Sequence, residues 1–573
     1  MPLSSAIAKC FARPWFVFAF VFAWKIALFV TTFQPVPAND AYFYDGPVVN
    51  LLNGGGYFNP SLALALPISS TEIFCAYPPA YQAVLWGWMS VFGTSEVAAM
   101  LLHLALFGAY LLVLLEIFRR LKTPAIWINV AGLFLFVITF HDRPDSLAQL
   151  FGVSAVLAWV CARETRSGML GSGRDWLATG LVVLTLCTSL QLGGVYLCWI
   201  WLLNLLGLAM RKEPIRVAPL MATVLIPVAL VALVKFGYPR LWVGFQEHAQ
   251  QTPSVAGWRW PRLDDCLKVL RTGPGLCGVI TLVGWLGLRL FRDGSAKLQL
   301  RAPGKSLRPA PLLEVCGSTT SALVALGGAA AVAGIALAAL VFLTPNFALS
   351  IGYIQPLVVG SFVAACGGQW ATRGQQRLWI SIFVVLAAGG AVRAVGMSTW
   401  GVACAADVSH GQAIQQVRAS LDRTPPGAMV AVSAAFLYEA ARHKDLRAIH
   451  SDWLAPGRHT EHLINLVIKH RPAKLILTEF DYYRHYEAPV RQLQTLNQQV
   501  EVKISDAARI PVPDASRRLQ KVVQHISWSP AQVMLSPIMH RGIWGGTVQL
   551  PMSAACAARH VTQSRPHRAI RHR

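Results

Sequence analysis

Apolar runs long enough to cross a bilayer recur along this chain, and they constrain its fold more than any other feature. With ends set to within a few residues, they fall at 14–33, 96–118, 123–140, 145–161, 176–190, 192–210, 215–235, 274–291, 319–343, 350–368 and 376–396. A hydrocarbon core of roughly 30 Å takes about 17–25 residues of helix, and a spanning segment must satisfy its peptide groups internally. The expectation is a polytopic α-helical membrane protein with about eleven transmembrane helices. Composition agrees. Of 573 residues, 54% are hydrophobic and only 13% charged, where soluble domains are about a quarter charged.

The formal net charge of +23 does not describe a nucleic-acid-binding face, because most of the surplus Lys and Arg sit in short loops between apolar runs or in the tail RPHRAIRHR. That distribution is a topology signal. Lys9 and Arg13 precede the first run, so the N-terminus is expected in the cytoplasm. Alternate loops follow suit: RRLK at 119–122, RETRSGMLGSGR at 163–174, RKEPIR at 211–216, the 292–308 loop and RGQQR at 373–377. The opposite side then receives residues 34–95, HDRPD, 236–273, TPNF and everything after 396. The 236–273 loop is itself basic and fits the rule less well. The first run is too long, and too interrupted by Lys25, for a cleaved signal. The implied location is a cell membrane, multi-pass, with the C-terminal part on the external side.

From about residue 408 the apolar runs shorten and charge rises. GQAIQQVRASLDR and FLYEAARH have helical patterns, as does TEHLINLVIKH; AMVAVSA, LRAIHS and KLILTEF read as short strands. That alternation predicts a small parallel α/β domain. The expected organisation is a transmembrane catalytic part at 1–400 with its first external loop at 34–95, an external α/β domain at 408–550 and a basic tail at 551–573. No glycine-rich fingerprint opens a helix, and GKS at 304–306 has Gln299 where a phosphate-binding loop needs glycine. The eleven cysteines contain no CxxC pair, so neither a zinc site nor a disulfide framework is read.

The first external loop holds the chemistry. It reads PANDAYFYDGPVVNLLNGGGYFNP at 37–60, with Asp40 and Asp45 among aromatics. For an arbitrary loop acid the plain reading is a solvated turn. Here the acids are followed by VVNLLNGGGYFN, a short amphipathic helix stopped at glycine, and by YPPAYQAVLWGWMSVFG at 77–93, an aromatic segment suited to lying at the headgroup level.

Taken in order, NDAYFYD, GGGY, YPPAYQAVLWGWMSVFG, RPDSLAQLFG at 143–152 and GYIQPLVV at 352–359 resemble the GT-C superfamily of glycosyltransferases that use polyprenyl-phosphate sugars. The branch most similar is the bacterial one related to protein O-mannosyltransferases and aminoarabinose transferases, which implies the bacterial inner membrane with the C-terminal domain on the periplasmic side. The resemblance implies a sugar donor on a lipid phosphate and a lipid, glycan or protein acceptor. It implies Asp40 as the catalytic general base, and Asp45, Tyr77, Arg143, Asp145 and Tyr353 as substrate-binding residues. One carboxylate suffices to take the proton of an attacking hydroxyl. Many relatives have Arg-Tyr before the late proline where this chain has Gly352-Tyr353. An arginine contacting phosphate there is missing or supplied from elsewhere. No cofactor is implied, and a need for a divalent cation is left open.

Several residues keep two readings. Arg143 faces the donor phosphate or holds a catalytic acid, or else it meets membrane headgroups. Asp145 ties Arg143 down or stabilises a helix N-terminus, with Pro144 at its first turn. Lys25 in the first run meets a lipid phosphate, snorkels or pairs internally. GGAAAVAG at 327–334 reads as close helix packing. Trp242, Trp258 and Trp260 read as interfacial anchors or sugar-stacking rings. A transporter or lipid flippase would share this topology, but the chain shows neither internal repeats nor broken helices around a midplane site. A non-catalytic scaffold is the third reading, and it turns on whether Asp40 matters.

Overall fold

The computed structural model describes residues 13–33, 41–63, 66–121, 123–135, 143–162, 169–211, 216–251, 410–450, 472–478, 503–505 and 543–549, with residues 381, 395 and 402. The helices run in the order α1 (Phe16–Thr32), α2 (Ala41–Leu52), α3 (Pro67–Thr71), α4 (Ala80–Phe92), α5 (Glu96–Arg120), α6 (Ala125–Leu135), α7 (Asp145–Ala162), α8 (Gly173–Leu186), α9 (Leu190–Arg211), α10 (Val217–Gly237), α11 (Pro239–Gln251) and α12 (His410–Asp422). Seven expected crossings therefore coincide with α1 and α5–α10. Among the described residues, α5, α7 and α10 are long and apolar enough to cross a membrane unaided. The expected runs at 274–291, 319–343, 350–368 and 376–396 lie outside the described residues.

The seven helices alternate in direction, which the polar ties at their ends establish. At one end Asn129 of α6 grips the start of α1, accepting from the Val17 amide at 3.3 Å and donating to the Arg13 carbonyl at 3.1 Å. There too Arg216, just before α10, donates to the Ala162 carbonyl at the end of α7 and to Asp175 in the first turn of α8. At the other end α1 finishes at Phe33, in the left-handed region with φ 51°. For a non-glycine residue this conformation costs roughly 1–2 kcal/mol. There Phe33 stacks on His410 with ring centroids 4.6 Å apart, and His410 pairs with Glu96 at the start of α5 at 3.0 Å. The loop helices α2–α4, α11 and the 410–450 segment all gather at this second end.

Two cores result. One lies inside the bundle, with Val17, Phe118, Trp127, Trp159 and Tyr196 buried together. The other joins the loop to the C-terminal segment through Tyr42, Tyr81, Leu85, Met89, Val417 and Phe436.

The loop departs from the sequence expectation at α2. The acids were expected in a turn ahead of a helix over VVNLLN; the helix instead begins at Ala41 and carries Asp45 inside it. Pro47, which lacks an amide proton, should break such a helix because the Phe43 carbonyl loses its partner. Asn59 replaces it: its Nδ2 donates to the Tyr42 carbonyl at 2.9 Å and the Phe43 carbonyl at 3.3 Å. Gly46 makes the approach possible, since a Cβ there would overlap the Asn59 side chain. Alanine for glycine in a helix ordinarily stabilises by about 0.5–1 kcal/mol. Gly46→Ala is expected to do the reverse, destabilising by about 1–3 kcal/mol through overpacking. Thermal unfolding in detergent reads the sign; a raised melting temperature would show that Asn59 does not hold α2.

The C-terminal part contains β1 (Met429–Val432), the short helix α13 (Leu437–Ala440), β2 (Arg447–His450), β3 (Lys474–Thr478), β4 (Lys503–Ser505) and β5 (Ile543–Gln549). The sheet order is β2-β1-β3-β5-β4. β1 pairs in parallel with β2 and β3, in register Val432↔His450 and Val432↔Ile476. The sheet is mixed rather than wholly parallel, because β5 runs antiparallel to both β3 and β4. Its Gly545 and Gly546 lie opposite Ile476 and Leu475, and twin glycines remove the side-chain pattern that marks a strand. The expected helix TEHLINLVIKH and the 551–573 tail lie outside the described residues.

Candidate functional site at the loop end of the bundle

Asp40 and Tyr353 lie outside the described residues, as do His141, Asp142, Trp258 and Trp260. The other four site residues expected from sequence fall into two clusters on either side of α2.

The first cluster forms where α7 starts. Pro144 cannot continue a chain upstream as helix, so α7 opens at Asp145. The Arg143 guanidinium stands 3.2 Å from the Asp145 carboxylate as an ion pair, with side-chain exposures of 13% and 3%. Arg143 also donates from Nη2 to the Tyr44 hydroxyl at 3.3 Å and lies 5.7 Å from the centre of that ring. The remaining Asp145 oxygen accepts from Ser189 Oγ at 3.2 Å. Ser189 in turn meets the Tyr77 hydroxyl at 3.4 Å, and the Tyr77 and Tyr44 rings pack edge to face at 4.8 Å. Tyr77 is thus brought to the Arg143–Asp145 pair from a separate segment, with Tyr44 and Ser189 from two more. The Asp145 carboxylate and the Tyr44 hydroxyl hold the guanidinium at the junction of loop and bundle, and Ser189 holds the carboxylate.

The second cluster surrounds Asp45, which is buried. Its Oδ1 accepts from the Tyr81 hydroxyl at 2.8 Å, and its other oxygen accepts from Tyr438 of α13. Tyr81 also meets His103 Nε2 of α5 at 2.9 Å. Burial, and then the neighbouring Asp45 charge, hold the Tyr42 and Tyr438 phenols above the usual tyrosine range, so both stay protonated. Asp45 therefore ties α2, α4 and α13 together. Both of its oxygens serve protein donors.

Lys25 is half-buried on α1, and Trp242 of α11 lies with its ring centre 5.8 Å from Lys235 Nζ. α11 is held to the loop by Arg240, whose Nε donates to Glu72 at 2.6 Å. That hydrogen bond, and then the Arg240 charge, lower the Glu72 carboxyl below its usual range. Among the described residues no group of three or more His, Cys, Asp or Glu side chains could hold a metal ion.

No protein-family profile matches the sequence, and no curated protein matches it. Solved structures do. One is ArnT from Cupriavidus metallidurans bound to undecaprenyl phosphate, at 12% identity and a TM-score of 0.47, covering 85% of this chain and 96% of that one. Another is the archaeal oligosaccharyltransferase AglB from Archaeoglobus fulgidus in complex with an inhibitory peptide and a dolichol-phosphate. There the identity is 10% and the TM-score 0.45, covering 82% of this chain and 69% of that one. At identities of 10% and 12% the likeness is one of overall shape.

Sequence reasoning missed Tyr44, Ser189 and Tyr438. Tyr44 stands within the quoted acid motif, where aromatics were taken together rather than singly. Ser189 belongs to CTS at 187–189, a polar break between two crossings that marks a helix end but gives no sign of what it faces. Tyr438 comes from 393 residues downstream of its partner Asp45, and no local pattern carries a pairing of that length.

Proposed function

We propose that this chain is an integral-membrane glycosyltransferase that moves a sugar from a polyprenyl-phosphate carrier to an acceptor hydroxyl at the loop end of the bundle. The observation that carries this reading is the shielded Arg143–Asp145 pair, braced by Tyr44 and Ser189 at the start of a membrane-length helix. A guanidinium held at that depth suits the phosphate of a donor whose tail stays in the bilayer. In the reaction the acceptor oxygen bonds to the anomeric carbon as the bond from that carbon to the phosphate oxygen breaks. The hydroxyl proton passes to the Asp40 carboxylate, and the leaving phosphate keeps the bonding electrons, its added charge met by Arg143. Tyr77, Asp145 and Tyr353 shape the donor side, and Asp45 holds α2 in place. The N-terminus is assigned to the cytoplasm and the loop end to the periplasm, which follows from the Lys and Arg asymmetry.

The test is transfer from a labelled polyprenyl-phosphate sugar by the purified chain in proteoliposomes. Arg143→Ala is expected to lower turnover by about 10²–10³-fold, the usual cost of removing one group that meets developing charge. Arg143→Lys should recover part of the loss, because an ammonium keeps the charge but not the fork. Turnover unchanged in Arg143→Ala would overturn the assignment.

A further inference from the structure

On the side of α2 facing away from Arg143, a cavity of about 430 Å³ opens between that helix and the α13–β2 segment. Tyr42 belongs both to its wall and to the second cluster, where it packs edge to face on Tyr438 at 5.0 Å. Arg143, Asp145, Tyr44 and Tyr77 take no part in the lining. Its floor is apolar and buried: Tyr42, Val49, Leu437 and Ile449. Its rim is polar and of one sign. Lys444 and Arg447 stand on it with His443, and the Asn50 and Asn53 amides and the Thr71 hydroxyl complete it. Not one Asp or Glu is among the described residues that line it.

The rim is also held in shape. Lys444 Nζ donates to the Asn53 carbonyl at 3.1 Å, which bridges the two walls, and Asn50 Nδ2 donates to the Gly56 carbonyl at 2.8 Å. Asp422 approaches His443 Nδ1 to 3.8 Å and is not itself a lining residue. Arg447 makes no ion pair with a carboxylate among the described residues.

An apolar floor, a ring of amide and hydroxyl groups and two cations without a carboxylate define one ligand chemistry. The floor takes the C–H face of a sugar ring, the amides and hydroxyl take ring hydroxyls, and the cations take an acid group through charge-assisted hydrogen bonds. The volume lies within the usual range of small-molecule sites, about 300–1,000 Å³. We infer that this cavity is a binding site for an anionic saccharide, separate from the Arg143–Asp145 cluster. The inference stands on the cavity's own residues and does not rest on the proposed reaction. A free uronic-acid oligosaccharide and the phosphorylated glycan head of a lipid share this chemistry.

The experiment is calorimetric titration of the full chain in nanodiscs. The probes are a tetragalacturonate, a neutral maltotetraose, inorganic phosphate and an acidic tetrapeptide. A further arm uses nanodiscs doped with a phosphorylated glycolipid. The tetragalacturonate is expected to bind at least about tenfold tighter than the neutral sugar, phosphate or peptide. Lys444→Ala and Arg447→Ala should each weaken it by about tenfold or more, with the melting temperature unchanged. Arg423→Ala, outside the lining, should leave it unchanged. Competition from the glycolipid would assign the site to a lipid-linked source, and its absence to a free saccharide; both support the inference. Equal binding of neutral and acidic sugars, tighter binding of phosphate or peptide, no binding of the tetragalacturonate, or wild-type affinity in both cavity variants would overturn it.

Discussion

Asp40→Asn is expected to fold and insert normally while losing about 10²–10⁴-fold in sugar transfer, the usual contribution of a general base. At 1.36 kcal/mol per decade that is about 3–5 kcal/mol on the barrier. The substitution keeps the size of the side chain and removes only its ability to take a proton. Asp45→Asn serves as the internal contrast, because protein donors already hold both oxygens of Asp45. Asp45 is buried and accepts from two phenols, so an amide there presents N–H where Tyr81 or Tyr438 also presents O–H. One donor is left without an acceptor, at a cost of about 1–3 kcal/mol. Asp45→Asn should therefore lower the melting temperature, with turnover falling in step with the folded fraction. Asp40→Asn should lower turnover alone, with the donor lipid still bound. Full turnover by Asp40→Asn, together with a turnover loss in Asp45→Asn at unchanged stability, would exchange the two roles. Full turnover by both would remove the chemical basis of the glycosyltransferase reading.

What the sequence made legible follows from the range of the signals. α5 and α10 were readable to within a few residues because a membrane helix announces itself in one contiguous apolar window. The three strands nearest α12 were readable because Val430, Val432, Ile449 and Ile476 keep a buried-strand pattern. β5 was not, since Gly545 and Gly546 carry no hydrophobic pattern and its β3 partners lie 65–71 residues earlier. The start of α2 was misplaced for a physical reason. Pro47 is a helix breaker by local rules, and the group that rescues it, Asn59, is brought in by the turn at 53–59 and by the space above Gly46. Motif order singled out Tyr77, Arg143 and Asp145, and the structure brings these three together. Their mutual contacts were not legible, because Tyr44 and Ser189 reach them from separate segments, and Tyr438 reaches Asp45 from farther still. The basic loops at 163–174 and 211–216 were read only as a topology signal. The structure adds that Arg174 donates to the Cys161 carbonyl at 2.8 Å and that Arg216 is buried.

That burial makes Arg216 the position where a single substitution should most damage the fold. Asp175 closes a capping box on Ser172 at the start of α8, accepting from the Ser172 amide and hydroxyl at 2.7 Å each. Arg216 Nη1 donates to the same carboxylate at 2.5 and 2.6 Å. Both terminal nitrogens also reach the Ala162 carbonyl at 3.1 Å, one of the carbonyls that the end of α7 leaves without a helical partner. The side chains are 7% and 6% exposed. Such a pair is weak evidence of net stabilisation, because desolvating both charges offsets much of their attraction. Removing one partner is another matter: Arg216→Ala strands a buried carboxylate and an orphaned helix-end carbonyl, for an expected loss of about 3–5 kcal/mol. Arg216→Lys should fall between, since an ammonium cannot hold the carboxylate and the carbonyl with the same planar fork. Arg216→Met combined with Asp175→Asn should recover much of the loss, because the stranded charge is then gone. Arg119→Ala, at an exposed pair with Glu116, should leave the melting temperature where it is. The measurement is thermal unfolding of each variant in one detergent, with the folded fraction followed by size-exclusion chromatography. A loss below about 1 kcal/mol for Arg216→Ala, the scale of a solvated surface pair, would mean that water reaches Asp175 and that the three helix ends are not locked there.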